Sequence, residues 1–259
     1  MALMSPGSVI LTGASDGIGK AMALEFARRG WSLGLIARRT ELLEQVRDRC
    51  LRSGAPRVFF RSVDVSDEPA FETALDALDT ELGGATAFIA NAGITGRSSL
   101  GSDAWSSAKK ILQVNVLSAI HGLEVMKMKM LARGSGTLAG VSSIAGARGM
   151  PTSGAYATSK AALTNHLEGL RVDLKSRGIR VVTIVPGFIR TSLTTHNKGK
   201  MPFLMEPEDA ARVFVSGVIR GRSWSIAPAP FRVIYPVIQM LPRSWFDFLM
   251  TRLYRTIRG

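Results

Sequence analysis

The sequence predicts an α/β fold, a doubly wound parallel sheet with helices on both faces, and three observations predict it. Short apolar runs alternate with segments of helical periodicity from residue 8 to residue 227. The first run, Ser8 to Thr12, enters the glycine-rich turn Gly13-Ala14-Ser15-Asp16-Gly17-Ile18-Gly19-Lys20 and then a helical pattern from Ala21 to Arg29. Small and polar residues follow successive runs, as in Asn91-Ala92-Gly93, Ser142-Ser143 and Pro186-Gly187; in open parallel sheets, ligands bind at those carboxyl ends. No internal repeat or linker divides the 259 residues. Residues 1–227 therefore read as one domain, and 228–259 as an aromatic and basic extension.

The opening strand, glycine turn and helix form a unit. Glycines let the chain turn tightly and let backbone approach a pyrophosphate; the helix N-terminus adds N–H groups and the positive end of its dipole. The spacing is GxxxGxG, which makes Gly13, Ser15, Asp16, Gly17, Ile18 and Gly19 candidate cofactor contacts. The second strand, Ser32 to Ala37, ends at Arg38-Arg39. In dinucleotide folds this strand end meets the adenosine ribose, where an acid would bind a 2′-hydroxyl and repel a 2′-phosphate. Arg38 instead offers a guanidinium, which matches a phosphate in charge and geometry. NADP(H) is expected over NAD(H), with Ser15 assisting. Without a ligand, Arg38 and Arg39 simply open the polar face of the next helix.

The alternation continues with a helix from Thr40 to Ser53, a strand from Arg57 to Val63, a helix from Asp67 to Leu82 and a strand from Thr86 to Ala90. Asp64-Val65 ends the third strand, and its carboxylate either accepts from an adenine amino group or caps a turn. Asn91-Ala92-Gly93 is small enough for close backbone approach to a cofactor. A helix is expected from Asp103 past His121, with Asn115 inside it at a mildly unfavourable position. The fifth strand, Gly136 to Ser142, delivers Ser143. A long helix spans Ser153 to Lys175, and Gly178 stops it. The sixth strand, Ile179 to Val185, leads to Pro186-Gly187-Phe188-Ile189-Arg190-Thr191. Ser192 to Leu204 is a candidate substrate lid. Glu206-Pro207-Glu208-Asp209 opens a helix reaching Arg220, and Trp224 to Ala227 is an edge strand.

In the long helix Tyr156 and Lys160 stand at i and i+4, on one face. A free tyrosine has a pKa of about 10 and exchanges protons poorly near neutrality. A neighbouring ammonium favours the phenolate and lowers that pKa, giving a general acid/base suited to a carbonyl or alcohol. The Ser143 hydroxyl is placed to hold the reacting oxygen. Such a pair is common on helices and takes its weight from the rest of the chain.

Composition narrows the partners. The net charge of +13 is spread along the chain, with no block of lysines and arginines. No helix-turn-helix, zinc or RNP pattern accompanies it, so no nucleic acid is expected. The charge reads as a solvated basic surface or as attraction to an anionic cofactor, substrate or membrane surface. Cys50, the single cysteine, cannot form an intrachain disulfide and fits a reducing compartment. Residues 1–7 lack the pattern of a signal peptide, and no run reaches the roughly 18 apolar residues of a spanning helix. A cytoplasmic location is expected. His121, His166 and His196 lack metal-site spacing, and no metal is expected.

Thr12-Gly13-xxx-Gly17-x-Gly19, Asp64, Asn91-Ala92-Gly93, Asn115, Ser143, Tyr156-xxx-Lys160 and Pro186-Gly187-xxx-Thr191 occur in one order. That set resembles the single-domain short-chain dehydrogenases/reductases, over about Ser8 to Ala227. The resemblance implies a Rossmann-like sheet of about seven parallel strands and a tetrad of Asn115, Ser143, Tyr156 and Lys160. It implies that Tyr156 donates a proton to a carbonyl oxygen while NADPH delivers hydride, and that Ser143 orients the carbonyl. Lys160 would bind the nicotinamide ribose and lower the Tyr156 pKa, and Asn115 would hold a water in the proton relay. Val65, Asn91, Ala92, Gly93, Pro186, Gly187, Ile189 and Thr191 would complete the cofactor site. The implied activity is an NADPH-dependent carbonyl reductase, reversible as an alcohol dehydrogenase, working as a homodimer or homotetramer. The alternatives are an NADP(H)-binding regulator without turnover, although regulators of this kind usually lose the tyrosine or lysine, and a sugar-nucleotide epimerase or dehydratase, which tends to be longer.

The extension 228–259 departs from that pattern. Pro236 and Pro242 are expected to divide it into short segments, and Ser244 to Ile257 shows apolar residues at helical spacing among arginines. It reads as a cover for the pocket or a dimer contact, as a helix lying on an anionic membrane surface, or as a segment for a partner. The first two suit a hydrophobic carbonyl substrate, such as a sterol or a fatty-acyl ketone.

Overall fold

Strands buried on both faces must be apolar along their whole length, and β1 (Ser8–Thr12), β2 (Ser32–Ala37) and β4 (Ala87–Ala90) are buried at every residue. The computed structural model describes residues 6–96, 103–195 and 201–258, with side chains as far as Arg252. β3 (Val58–Ser62), β5 (Gly136–Val141), β6 (Ile179–Pro186) and β7 (Trp224–Ala227) complete a seven-stranded sheet of order β3-β2-β1-β4-β5-β6-β7. Every pairing is parallel. The order reverses between β1 and β4, so a crevice opens above their carboxyl ends.

The crossover helices divide between the two faces. On one side α1 (Gly17–Arg28), α2 (Thr40–Arg52) and α7 (Pro207–Ile219) pack Phe26, Leu43 and Phe214 against the sheet. On the other side α3 (Glu68–Glu81), α5 (Ser118–Arg133) and α6 (Gly154–Leu174) bury Phe71, Leu123 and Leu167. The chain is thus the expected α/β fold, a single Rossmann-like domain.

Three elements differ from the sequence reading. First, α1 begins at Gly17 rather than Ala21, because the Asp16 carboxylate accepts from Gly17 N at 2.7 Å and caps the helix. Second, the helix expected to run unbroken past His121 is three pieces: α4 (Ala104–Leu112), a π turn (Gln113–Leu117) and α5. The wider turn re-aims Asn115, the kind of local adjustment found at functional sites. Third, the extension forms two helices, α8 (Phe231–Met240) and α9 (Arg243–Arg258). Pro236 lies inside α8, on its exposed side, and does not divide it; only Pro242 marks a break.

Candidate active site

All the candidate residues stand at or just beyond the carboxyl ends of strands or on the helices facing them. At the switch point, side chains stitch the β1 and β4 loops together. The Thr12 hydroxyl accepts from Asn91 N at 3.0 Å and Ala92 N at 2.9 Å. Asn91 Nδ2 donates to Thr12 O at 2.8 Å and Gly13 O at 3.2 Å. Glycines make this approach possible. Gly13 has φ +66°, and a Cβ on Gly19 would meet Gly13 O at 2.2 Å.

Asn115, fully buried in the π turn, extends the stitching. Its Oδ1 accepts from Ile94 N at 2.8 Å, and its Nδ2 donates to Ile94 O at 2.9 Å and Ser159 Oγ at 3.0 Å. The amide expected to hold a water bonds protein partners and clasps Ile94, the residue after Asn91-Ala92-Gly93, to α6. Ser159 in turn donates to Tyr156 O at 2.7 Å.

Ser143, Tyr156 and Lys160 come together at the end of β5. Ser142 accepts or donates with Thr164 at 2.7 Å and donates to Lys160 O at 2.9 Å, pinning α6 to the strand. Ser143 Oγ accepts from Ala145 N at 3.1 Å and lies near enough to the Tyr156 phenol to lower its pKa. Lys160 Nζ is buried and donates to Val141 O at 2.8 Å. Burial pulls the Lys160 pKa from 10.5 down to about 8. Burial also raises the Tyr156 pKa, and Ser143 offsets that only in part. This corrects the expectation that the lysine lowers it. The ammonium is bonded to a main-chain carbonyl and stands 5.8 Å from the ring centre.

At the other end of the crevice the two arginines take different partners. Arg39, rather than Arg38, reaches the glycine turn: its Nη2 donates to Ser15 Oγ at 3.3 Å and lies 3.8 Å from Asp16 Oδ2. Arg38 Nη1 lies 3.6 Å from Asp64 Oδ2. Asp64 Oδ1 caps the turn by accepting from Ser66 N and Oγ at 3.0 and 2.7 Å. Partial burial pushes both carboxyls up but is outweighed. Bonds from Ser192 and Gly17 with the charge of Arg39 hold Asp16 below the usual range, and Ser66 with Arg38 does the same for Asp64. The side chains of Val65 and Ile189 belong to the core.

The segment after β6 folds over the glycine turn. Thr191 methyl carbon would touch a Cβ on Gly17 at 3.3 Å, and Ser192 Oγ donates to Asp16 Oδ2 at 2.8 Å. Its two feet are tied: Arg190 N donates to Met205 O at 3.0 Å, Met205 N to Phe188 O at 3.0 Å, and Arg190 pairs with Glu206 at 2.7 Å. Residues 196–200 of the candidate lid, His196 among them, lie outside the described residues. Gly187 follows Pro186 so closely against α8 that a Cβ would meet the Phe231 ring at 2.5 Å. On α9, Phe246, Asp247, Met250 and Thr251 face Gly149, Met150, Pro151 and Gly154 across a cleft of about 480 Å³. That cleft opens two residues before Tyr156.

Ser142, Ser159 and Ser192 were not singled out as site residues, and Thr12 only as part of the matched motif. The only signal for the three serines is position, each beside or between motif residues. The crevice fits an elongated anionic dinucleotide. Gly13, Gly17 and Gly93 leave backbone bare along it, and a Cβ on Gly93 would stand 3.4 Å from Lys160 Nζ. Cationic side chains flank both ends. Among the described residues no cluster of His, Cys, Asp or Glu could hold a metal.

The crevice is thus lined by glycines at one end and by the Tyr156 phenol and the Lys160 amine at the other. The model of the short chain dehydrogenase family matches residues 8–201, and the chain belongs to that family. An uncharacterized oxidoreductase of Myxococcus xanthus is 38% identical over 98% of this chain and 100% of its own length. An 11-beta-hydroxysteroid dehydrogenase-like protein of Arabidopsis thaliana is 29% identical over 90% of this chain and 80% of its own. Among solved structures, a short-chain type dehydrogenase/reductase from Mycobacterium marinum superposes with a TM-score of 0.78 at 26% identity, covering 86% of this chain and 93% of that one.

Proposed function

We propose that the protein is an NADP(H)-dependent carbonyl reductase, reversible as an alcohol dehydrogenase, acting on a hydrophobic ketone or secondary alcohol. The observation that carries this reading is that Ser143, at the end of β5, meets Tyr156 and Lys160 of α6, with Ser143 close enough to the phenol to lower its pKa. A phenol whose pKa lies above the ordinary tyrosine value is protonated at neutral pH. Tyr156 therefore gives its proton to the carbonyl oxygen in reduction, and the Ser143 hydroxyl orients that oxygen. The nicotinamide, when bound, supplies the hydride in reduction and accepts it in oxidation. Lys160 binds at the nicotinamide ribose, and its charge, retained below about pH 8, supports the tyrosinate left after transfer. Asn115 positions the Asn91–Gly93 backbone.

The adenosine end supports NADP(H): Arg38, Arg39 and Ser15 replace the acid that would select NAD(H). The cleft between the 149–154 segment and α9, lined by Met150, Pro151, Phe246 and Met250, suits an apolar substrate. The Arabidopsis relative is named for a hydroxysteroid, a substrate of that kind. A homodimer or homotetramer in the cytoplasm is part of the same reading. No described helix is long and apolar enough to cross a membrane.

NADPH absorbance followed across ketones of increasing size, with wild type and Tyr156→Phe, tests the proposal. Consumption that requires Tyr156 and rises with substrate apolarity is expected. Binding of NADPH without turnover of any ketone overturns it.

A further inference from the structure

Behind the active site, α8 and α9 carry an outer face that no other described residue covers. Val233, Val237 and Met240 are 68%, 52% and 82% exposed, and Trp245, Phe248 and Leu249 are 66%, 65% and 48% exposed. Spacings of four and three, then three and one, set each trio on a stripe of its own helix. The opposite sides are occupied by the body of the protein. Phe231 and Tyr235 are buried, and Arg148 donates to Gln239 O and Leu241 O at the elbow while stacking 4.8 Å from the Phe246 ring centre. Folding therefore uses the inner faces, and the outer stripes mark an interaction surface.

The charge beside those stripes selects the occupant. Arg232, Arg243 and Arg252 are exposed, the sequence adds Arg255 and Arg258, and Asp247 is the only acid from 228 to 259. Asp247 lines the inner cleft. We propose that this face docks on an anionic lipid bilayer, the apolar stripes entering the interface and the arginines meeting headgroup phosphates. A second copy fits less well: a twofold contact would set like-charged arginines against one another, and the cores of protein interfaces are depleted of charge. A bilayer neutralises the arginines and takes Trp245 at headgroup depth. No described helix is long and apolar enough to span, so the pair lies in the surface. The docking is independent of turnover.

The full chain is sedimented with vesicles of phosphatidylcholine alone and of phosphatidylcholine with phosphatidylglycerol. Pelleting at least tenfold stronger with the anionic vesicles is expected. Trp245→Glu with Phe248→Glu abolishes it, and Arg232→Gln or Arg243→Gln each weakens it about fivefold. Because a double variant can misfold, brominated lipid is also added to the wild type and to Trp245→Phe: quenching is expected in the former and is reduced in the latter. Equal pelleting with neutral and anionic vesicles, no pelleting, or quenching indifferent to Trp245 overturns the proposal. So does a wild-type dimer that Trp245→Glu dissociates while vesicles retain neither form.

Discussion

The two walls of the crevice are built by opposite means. The nucleotide wall, from Thr12 through Asn91 and Asn115 to Lys160, is buried and joined by short polar bonds in which nearly every group has a main-chain partner. The opposite wall, made by the 148–154 loop, the chain after β6 and the helices α8 and α9, adds ring contacts to a few polar ties from Arg148 and Arg190. Phe231 meets Phe188 and Phe203 with centroids 6.0 Å apart, and Arg148 covers Phe246. Directional bonds in a low-dielectric setting tolerate little displacement, whereas aromatic and aliphatic contacts repack at modest cost. On the proposed function, the difference teaches that the reacting end is held by directional bonds, and the end that would meet the substrate by contacts that repack.

The sharpest way to separate the walls is at the proton. Tyr156→Phe is expected to lower kcat about a thousandfold while leaving the thermal midpoint nearly unchanged; a loss under tenfold would remove the phenol from the chemistry. Next comes the clasp. Asn115→Ala leaves Ile94 N and O without their partner and is expected to cost about 3 kcal/mol in urea unfolding, more than any single truncation on the opposite wall's exposed side.

Lys160 gives a smaller effect of opposite sign. Its folded pKa of about 8 lies below the ordinary 10.5, so the buried cation opposes folding. That penalty is fully present below pH 8 and fades as pH rises from about 8 through 10.5. Lys160→Met is therefore expected to abolish turnover yet stabilise the fold at pH 7 by about 2 kcal/mol, from about 3 for the shift less the lost bond to Val141. Melting curves at pH 7 and pH 10 check it, since the gain must shrink at the higher pH. Arg39→Ala is expected to raise the KM for NADPH about tenfold and leave that for NADH unmoved, one charged hydrogen bond being worth about 1.5 kcal/mol. Equal losses for both nucleotides would deny it a 2′-phosphate. Smallest of all, Phe246→Ala is expected to shift stability by about 0.5–1 kcal/mol while raising KM for apolar ketones several-fold.

The walls also differ in how far the sequence disclosed them. The strands were readable because burial on both faces leaves apolar runs bounded by Gly, Asn and Ser, and β1, β2 and β7 fall where those runs fall. The glycine turn, the tyrosine and the lysine were readable because their chemistry restricts the residue type. The π turn around Asn115 was not, since an i→i+5 bond leaves no mark on side-chain periodicity. Nor was the direction of the Tyr156 shift, which depends on where Lys160 Nζ points and on how deeply the phenol is buried. Pro236 misled for a related reason: a proline ends a helix only where its lost bond matters, and α8 carries it on the exposed side.

The stretches of chain before and after residues 191–204 lie side by side, Ile189 bridging Met205 and Arg190 gripping Glu206. Ends joined in this way anchor outside the seven-stranded sheet, so an exchange of residues between them is expected to leave the register of every strand unchanged.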